Sequence, residues 1–267
     1  MFKKFLIVLC VLLTLSCTSN KHTQQEKAFV LTEYIFSPTT ELVSRVEQTL
    51  IAAKTQNKQA LFVLGAQWCH DSKGLAQKFS TPQMQKILND NYQVLFIDVG
   101  YLEKGFDIVK QFNLPVYYGT PTVMVVEPNS TKILNKSTMQ KWLSADKVPL
   151  AEYVEYFDSF ASSKKRNESE ISLSMQDYLN EISKFEQQQS VRLKAAYRVI
   201  GPLLKQYMES DNKKASGEFT DKWEQVHDLR YRIQDDIQVL ITQAKSNIAA
   251  GSSAPLTLPT YPVFTWE

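Results

Sequence analysis

Cysteine and histidine are both scarce here: three of each among 267 residues. Three histidines cannot build a His-rich metal site. The three thiols, Cys10, Cys17 and Cys69, leave little material for disulfide pairing. Charge of one sign is also lacking, with a formal net charge of +2. No basic stripe interleaved with aromatics occurs, so a nucleic-acid partner is not expected. What is present is ordinary for a folded chain. A hydrophobic fraction of 43% and a charged fraction of 22% suit one large or two modest domains with a buried core.

The N-terminus reads as a secretory signal. Lys3 and Lys4 supply the positive end, and the apolar run Phe5–Leu15 is too short to span a bilayer with ease. Leu13-Thr14-Leu15-Ser16-Cys17 resembles a bacterial lipoprotein lipobox, whose cysteine is acylated and becomes the first mature residue. Thr14 departs from the usual aliphatic residue. An ordinary cleaved signal and an uncleaved anchor are the alternatives. On the lipoprotein reading residues 1–16 are removed, Cys17 carries lipid and residues 17–28 form a tether. Cys69 is then the one thiol of the mature chain, with no partner for an internal disulfide even in an oxidising compartment.

Beyond the tether the pattern alternates. Phe29–Phe36 suits a short strand. Ser37-Pro38-Thr39-Thr40 opens a helix to about Thr55, with Leu42, Val46, Leu50 and Ala53 on one face. Ala60–Leu64 is a continuous apolar run, the mark of a strand buried on both faces. Helices follow from Cys69 to about Phe79 and from Thr81-Pro82 onward. Tyr92–Val99 reads as a strand, Phe106–Phe112 as a short helix and Val123–Val126 as a strand. Lys132–Leu134 can return beside it as a hairpin partner. Ser137–Trp142 and Leu150–Phe160 are helical.

Composition turns polar over Ser162–Glu170, which predicts a domain boundary. Beyond it Tyr178, Ile182, Phe185, Gln189, Arg192, Ala196, Ile200, Leu203 and Tyr207 recur in steps of three and four. Phe219, Trp223, Val226, Ile233, Ile237 and Leu240 do the same. Two long helices folded as an antiparallel hairpin are the natural reading, the first kinked at Gly201-Pro202. Its apolar stripe is expected to be core, with a partner-binding coiled coil as the alternative. Arg192 and Arg230 at seam positions predict a stretch that is exposed or salt-bridged. The Pro-rich tail, residues 251–267, is expected to lie extended against the body.

The chemistry gathers at Gly65-Ala66-Gln67-Trp68-Cys69-His70-Asp71-Ser72-Lys73, with Asp98 at its strand end and Gly119-Thr120-Pro121-Thr122 further on. A thiol at the first turn of a helix meets free backbone N–H groups and the positive end of the helix dipole, a setting that favours an anion. Strand, Trp-Cys-x-x-Ser, helix, strand and a Thr-Pro-Thr before a further strand resemble the thioredoxin family over roughly residues 39–160. The resemblance implies an α/β fold, a mixed sheet flanked by helices, over residues 29–163, and the helical periodicity adds an all-α hairpin over residues 164–250. It also implies that Pro121 is cis and faces the thiol, and that the backbone of Thr120 pairs with a bound peptide. Trp68 and His70 would flank that peptide.

Three departures bear on mechanism. Ser72 stands where a resolving cysteine would be. Val63 replaces a buried acid, and Val94 a nearby lysine. Asp71 opposes a thiolate at Cys69, whereas a protonated His70 would favour it. The expected chemistry is therefore a monothiol one. Cys69 attacks a disulfide or sulfenic acid, Ser72 hydrogen-bonds the thiolate, and another thiol releases the mixed disulfide. That suits isomerisation, deglutathionylation or trapping better than net reduction. The competing expectations are a non-catalytic peptide-binding scaffold and a Cys69 that is merely a small buried hydrophobe. Cys69, His70 and Asp71 are too close in sequence to wrap a metal ion or to form a Cys–His protease pair. No cofactor is expected. The anticipated partners are envelope proteins or small thiols with reactive cysteines, together with the membrane through the lipid. The anticipated location is the periplasmic side of the bacterial envelope, with the outer membrane favoured.

Overall fold

The computed structural model describes residues 33–161 and 172–267. The signal, Cys17, the tether and the expected boundary at residues 162–170 lie outside the described residues. Of the candidate strand over 29–36, only residues 33–36 are described, and they form no strand. They attach through aromatic rings instead. Tyr34 stacks on Phe96 at 5.0 Å and meets Phe79 edge-on, and Phe36 is buried against Phe96 at 4.7 Å. Ring packing takes the place of backbone pairing there.

The sheet has three strands, β1 (Gln59–Gly65), β2 (Tyr92–Asp98) and β3 (Thr122–Val126), in the order β2-β1-β3. β1 runs parallel to β2, Gln59 opposite Tyr92 and Gly65 opposite Asp98, and antiparallel to β3, Ala60 opposite Val126. Every residue of β1 is buried, as a central strand covered on both faces must be. Alternation sorts its side chains. Ala60, Phe62 and Leu64 enter one apolar cluster, and Leu61 and Val63 the other.

The second cluster is closed by α2 (His70–Phe79), α3 (Pro82–Asn91) and α5 (Leu150–Ser159), through Leu75, Phe79, Met84, Leu88, Tyr153 and Phe157. Thr81 caps α3, its hydroxyl accepting the Met84 N–H at 3.4 Å, with Pro82 at the first helical position. The Lys132–Leu134 return pairs briefly with the end of β3, through a bridge from Val126 to Ile133, the Glu127 N–H donating to the Lys132 carbonyl and the Leu134 N–H donating to the Val125 carbonyl. Beyond that return the Asn135 side chain serves the edge of β3. Its Oδ1 accepts the Val125 N–H at 2.9 Å, and its Nδ2 donates to the Val123 carbonyl at 2.9 Å. Where Ser137–Trp142 suggested a helix, a 3-10 stretch runs from Lys136 to Lys147, interrupted at Ser144.

The first cluster receives α1 (Leu42–Thr55) and α4 (Phe106–Gln111). It also receives the hairpin, α6 (Leu173–Glu209) and α7 (Gly217–Ala249). Leu193, Ala196, Tyr197, Ile200 and Leu204 of α6, with Val226, Leu229 and Ile233 of α7, are buried in the same cluster as Phe62 and Met124. The apolar seam is thus core, shared by the hairpin and the sheet. Ser172 and Ser216 cap the two helices, accepting the Met175 and Phe219 N–H groups at 3.2 and 3.1 Å. The helix does not end at Gly201-Pro202, since α6 continues to Glu209. Glycine has a packing reason there: a Cβ at position 201 would stand 2.6 Å from the Tyr101 carbonyl oxygen.

The far end of the hairpin builds a separate small core from Tyr178, Ile182, Phe185, Leu240, Ala244 and Leu256. Leu256 belongs to the C-terminal tail, which folds back along the helices. Arg192 fastens it, pairing with Glu267 and donating to the Pro262 carbonyl. Tyr261 donates to Asp236 at 2.6 Å. Among the described residues no helix is long and apolar enough to cross a membrane.

Candidate functional site

β1 ends at Gly65, and the chain turns through Ala66–Trp68 into α2. Cys69 is the N-cap of α2, in extended conformation, its N–H donating to the Ala66 carbonyl at 3.1 Å and its carbonyl accepting the Lys73 N–H at 3.1 Å. The side chain keeps 9% of its exposure. Its Sγ donates to the Thr120 carbonyl at 3.3 Å. The Thr120–Pro121 peptide is cis, both residues are buried, and the Thr122 hydroxyl ties the loop by donating to the Gly119 carbonyl at 2.7 Å. Residues 69 and 120, 51 apart in sequence, therefore meet.

Ser72 is fully buried one helical turn on. Oγ accepts the Ala66 N–H at 3.5 Å, while the thiol's hydrogen bond goes to Thr120. Trp68 is half-buried and anchored, its indole N–H donating to the Gly100 carbonyl at 2.7 Å and its ring stacked near Tyr101 at 6.4 Å. His70 and Asp71 are both drawn to Asp146 of the 3-10 stretch. His70 Nε2 lies 3.7 Å from the Asp146 carboxylate in an exposed pair, which contributes little. Asp71 accepts the Asp146 N–H at 3.1 Å. Val63 is fully buried in apolar company. Asp98 closes β2, its carboxyl pushed up by burial against the opposing Gly100 hydrogen bond. Among the described residues no cluster of three metal-ligating side chains occurs.

The hairpin contributes a side of the site that the sequence pattern does not reveal. The Tyr197 hydroxyl donates to the Tyr117 carbonyl at 3.2 Å. Tyr118, two residues before Thr120, donates to buried Glu186 of α6 at 2.8 Å, and Lys136 reaches the same carboxylate at 3.2 Å. Arg230 of α7 lies against Gly119. Only its seam position marked Arg230 beforehand. Glu186 carried no signal, because its partners are 50 and 68 residues away.

A parallel β–α–β unit, an antiparallel third strand preceded by a cis-proline, and a thiol at a helix start opposite it define a thioredoxin-like domain. Residues 41–128 match a family model described as thioredoxin-like. Among solved structures, a disulphide isomerase from Xylella fastidiosa Temecula1 is similar, with 22% identity and a TM-score of 0.43, over 47% of this chain and 96% of that one. No curated protein matches the chain.

Proposed function

We propose that this protein carries out monothiol thiol–disulfide exchange through Cys69, on cell-envelope proteins or small thiols with reactive cysteines. The observation that carries the reading is the Cys69 thiol at the first turn of α2, 3.3 Å from the carbonyl of Thr120 and beside Pro121. The Cys69 thiolate attacks one sulfur of a disulfide RS–SR′. The Sγ–SR bond forms, the S–S bond breaks, and R′S⁻ leaves. Position 72 offers no second thiol, so a substrate or external thiolate R″S⁻ attacks the mixed disulfide. It departs as RS–SR″ and returns Cys69 as thiolate. Bonds are exchanged without net oxidation or reduction, the balance of isomerisation or thiol transfer. Thr120 and Pro121 form the wall for the substrate backbone, and Trp68 and His70 flank it. The buried Ser72 hydroxyl accepts the Ala66 N–H and keeps its own proton to donate to the Cys69 thiolate.

Export and acylation at Cys17 complete the proposal, supported by the residue pattern from Lys3 to Cys17. The protein would then face the periplasm from the membrane, with the outer one favoured. Recovery of mixed disulfides from the envelope tests the chemistry. Wild type should trap partners that Cys69→Ala does not. An absence of trapped partners, together with unchanged phenotypes in Cys69→Ala, removes the redox reading in favour of a binding scaffold. Mass analysis tests the anchor, since a mature N-terminus other than acylated Cys17 excludes it.

A further inference from the structure

The shared core and the small core at the far end of the hairpin leave a space between them. It is a cavity of about 400 Å³, bounded by α6, α7 and the segments around residues 114–118 and 136–140. Tyr118 belongs to the shared core and Ile182 to the far-end core, while Ile237 packs against both. The wall is largely apolar, built from Met139, Leu179, Ile182, Ile237 and Ile241. All of these except Ile182 are only half-buried, because they face space rather than protein. Voids much larger than a water are few in protein interiors, and small-molecule pockets begin at about 300 Å³.

One charged group borders this cavity from a buried position. Glu186 is 5% exposed and lines it. Its Oε1 accepts the Tyr118 hydroxyl at 2.8 Å, and its Oε2 accepts the Lys136 ammonium at 3.2 Å. A carboxylate offers about four acceptor positions, so about two stay open. The two partners differ in kind. Tyr118 is buried, whereas Lys136 reaches in from solvent with 51% of its side chain exposed. The ammonium can therefore withdraw into water. The carboxylate cannot follow, and left unpaired it would be a buried charge, which is strongly unfavourable. The site is built to hold a cation, and the one it holds is replaceable.

We propose that this cavity binds a small amphiphile with a primary ammonium head and an unbranched apolar tail. The head takes the place of Lys136 on Glu186 and uses the open acceptor positions. The tail covers Leu179, Ile237 and Ile241, removing their apolar surface from water. A carboxylate head is disfavoured, since it would sit beside Glu186 in a partly desolvated site where like charges repel. A hydroxyl head donates one hydrogen bond but brings no charge to replace that of Lys136. Nothing in this depends on Cys69, so the proposal stands or falls apart from the exchange chemistry.

Calorimetric titration of the full chain at neutral pH, with n-octylamine, n-octanol and octanoate below their micelle-forming concentrations, tests it. Octylamine should bind roughly tenfold more tightly than octanol, a factor worth about 1.4 kcal/mol, and octanoate should bind most weakly. Glu186→Gln keeps an acceptor for Tyr118 and should bring octylamine down to the octanol level. Lys136→Gln removes the competing cation and should tighten octylamine without tightening octanol. Ser183→Trp, at an exposed position on the cavity wall, should block both. An absence of octylamine binding, or octanol or octanoate binding as tightly as the amine, overturns the proposal. So does amine binding that survives Ser183→Trp, is unaffected by Glu186→Gln, or weakens in Lys136→Gln.

Discussion

Replacing Gly201 by alanine sets two known effects against each other. Within a helix, alanine is favoured over glycine by about 1 kcal/mol, and position 201 lies inside the long helix α6. Against this, the new Cβ would meet the Tyr101 carbonyl oxygen at 2.6 Å. That is about 0.8 Å short of ordinary van der Waals contact, and gaps or overlaps of that size forfeit a substantial part of the contact energy. The obstacle is backbone, so it cannot swing aside as a side-chain tip would. Relief requires α6 to withdraw from the 99–101 loop, loosening Tyr197, Ile200 and Leu204 in the shared core. Overpacking of this kind costs about 1–3 kcal/mol, so the net effect should be a loss of about 0–2 kcal/mol. Gly217 is the internal control, because nothing stands within 4 Å of a Cβ there, and Gly217→Ala should be neutral or slightly stabilising. Urea unfolding followed by circular dichroism reads both. A Gly201→Ala chain more stable than wild type by the full propensity gain would refute the close approach. Trp68 fluorescence adds a local readout, since Tyr101 stacks beside that indole.

Three further outcomes follow from the same geometry. Burial raises the Glu127 carboxyl, but hydrogen bonds from Ser130 and Asn129 outweigh it and hold the group down to about 2. A depressed carboxyl stabilises the fold above its unfolded value, near 4.3, and the contribution is lost as pH falls from there towards about 2. Glu127→Gln should therefore cost about 1 kcal/mol at pH 7, after allowance for solvent exposure, and progressively less below pH 4.5; a pH-independent difference in urea unfolding would contradict this. Tyr118→Phe removes a donor from buried Glu186 and should cost about 1–3 kcal/mol in the same assay. Burial, and then the Glu186 charge, push the Tyr118 hydroxyl well up, so it stays a donor throughout. Ser72→Cys places a thiol one turn from Cys69, within disulfide range for a helix start, so peptide mapping after mild oxidation should find positions 69 and 72 linked. A second thiol that stays reduced would show that the buried position 72 cannot turn towards Cys69.

The sheet and its flanking helices were legible because their signals are local. Ala60–Leu64 reads as a strand from its own residues, and Thr81-Pro82 announces α3. The neighbourhood of Cys69 and Thr120-Pro121 came from the resemblance, and the structure brings those residues together. What stayed hidden depends on distant partners. Residues 33–36 carry strand-like side chains, yet their rings are satisfied by Phe96 and Phe79, so no strand forms. Asn135 looks like an ordinary turn residue, yet its amide extends the pairing of the β3 edge through Val123 and Val125. Gly201-Pro202 looked like a kink, and the reason for the glycine became visible only with Tyr101 against it. Arg192 and Arg230 are indistinguishable by spacing, and the tail carboxylate that separates them lies at the far end of the chain.

The shared core also sets an order of events in time. Phe62, Leu64 and Met124 share their cluster with residues of α6 and α7 as far along as Ile233. Contacts of such long sequence separation form late, because a large loop must close before they stabilise anything. On a ribosome, the sheet's apolar face stays uncovered until most of the chain has emerged. The growing chain therefore remains open to chaperones and unable to complete its core early, the state in which a polypeptide can still be threaded elsewhere before it folds.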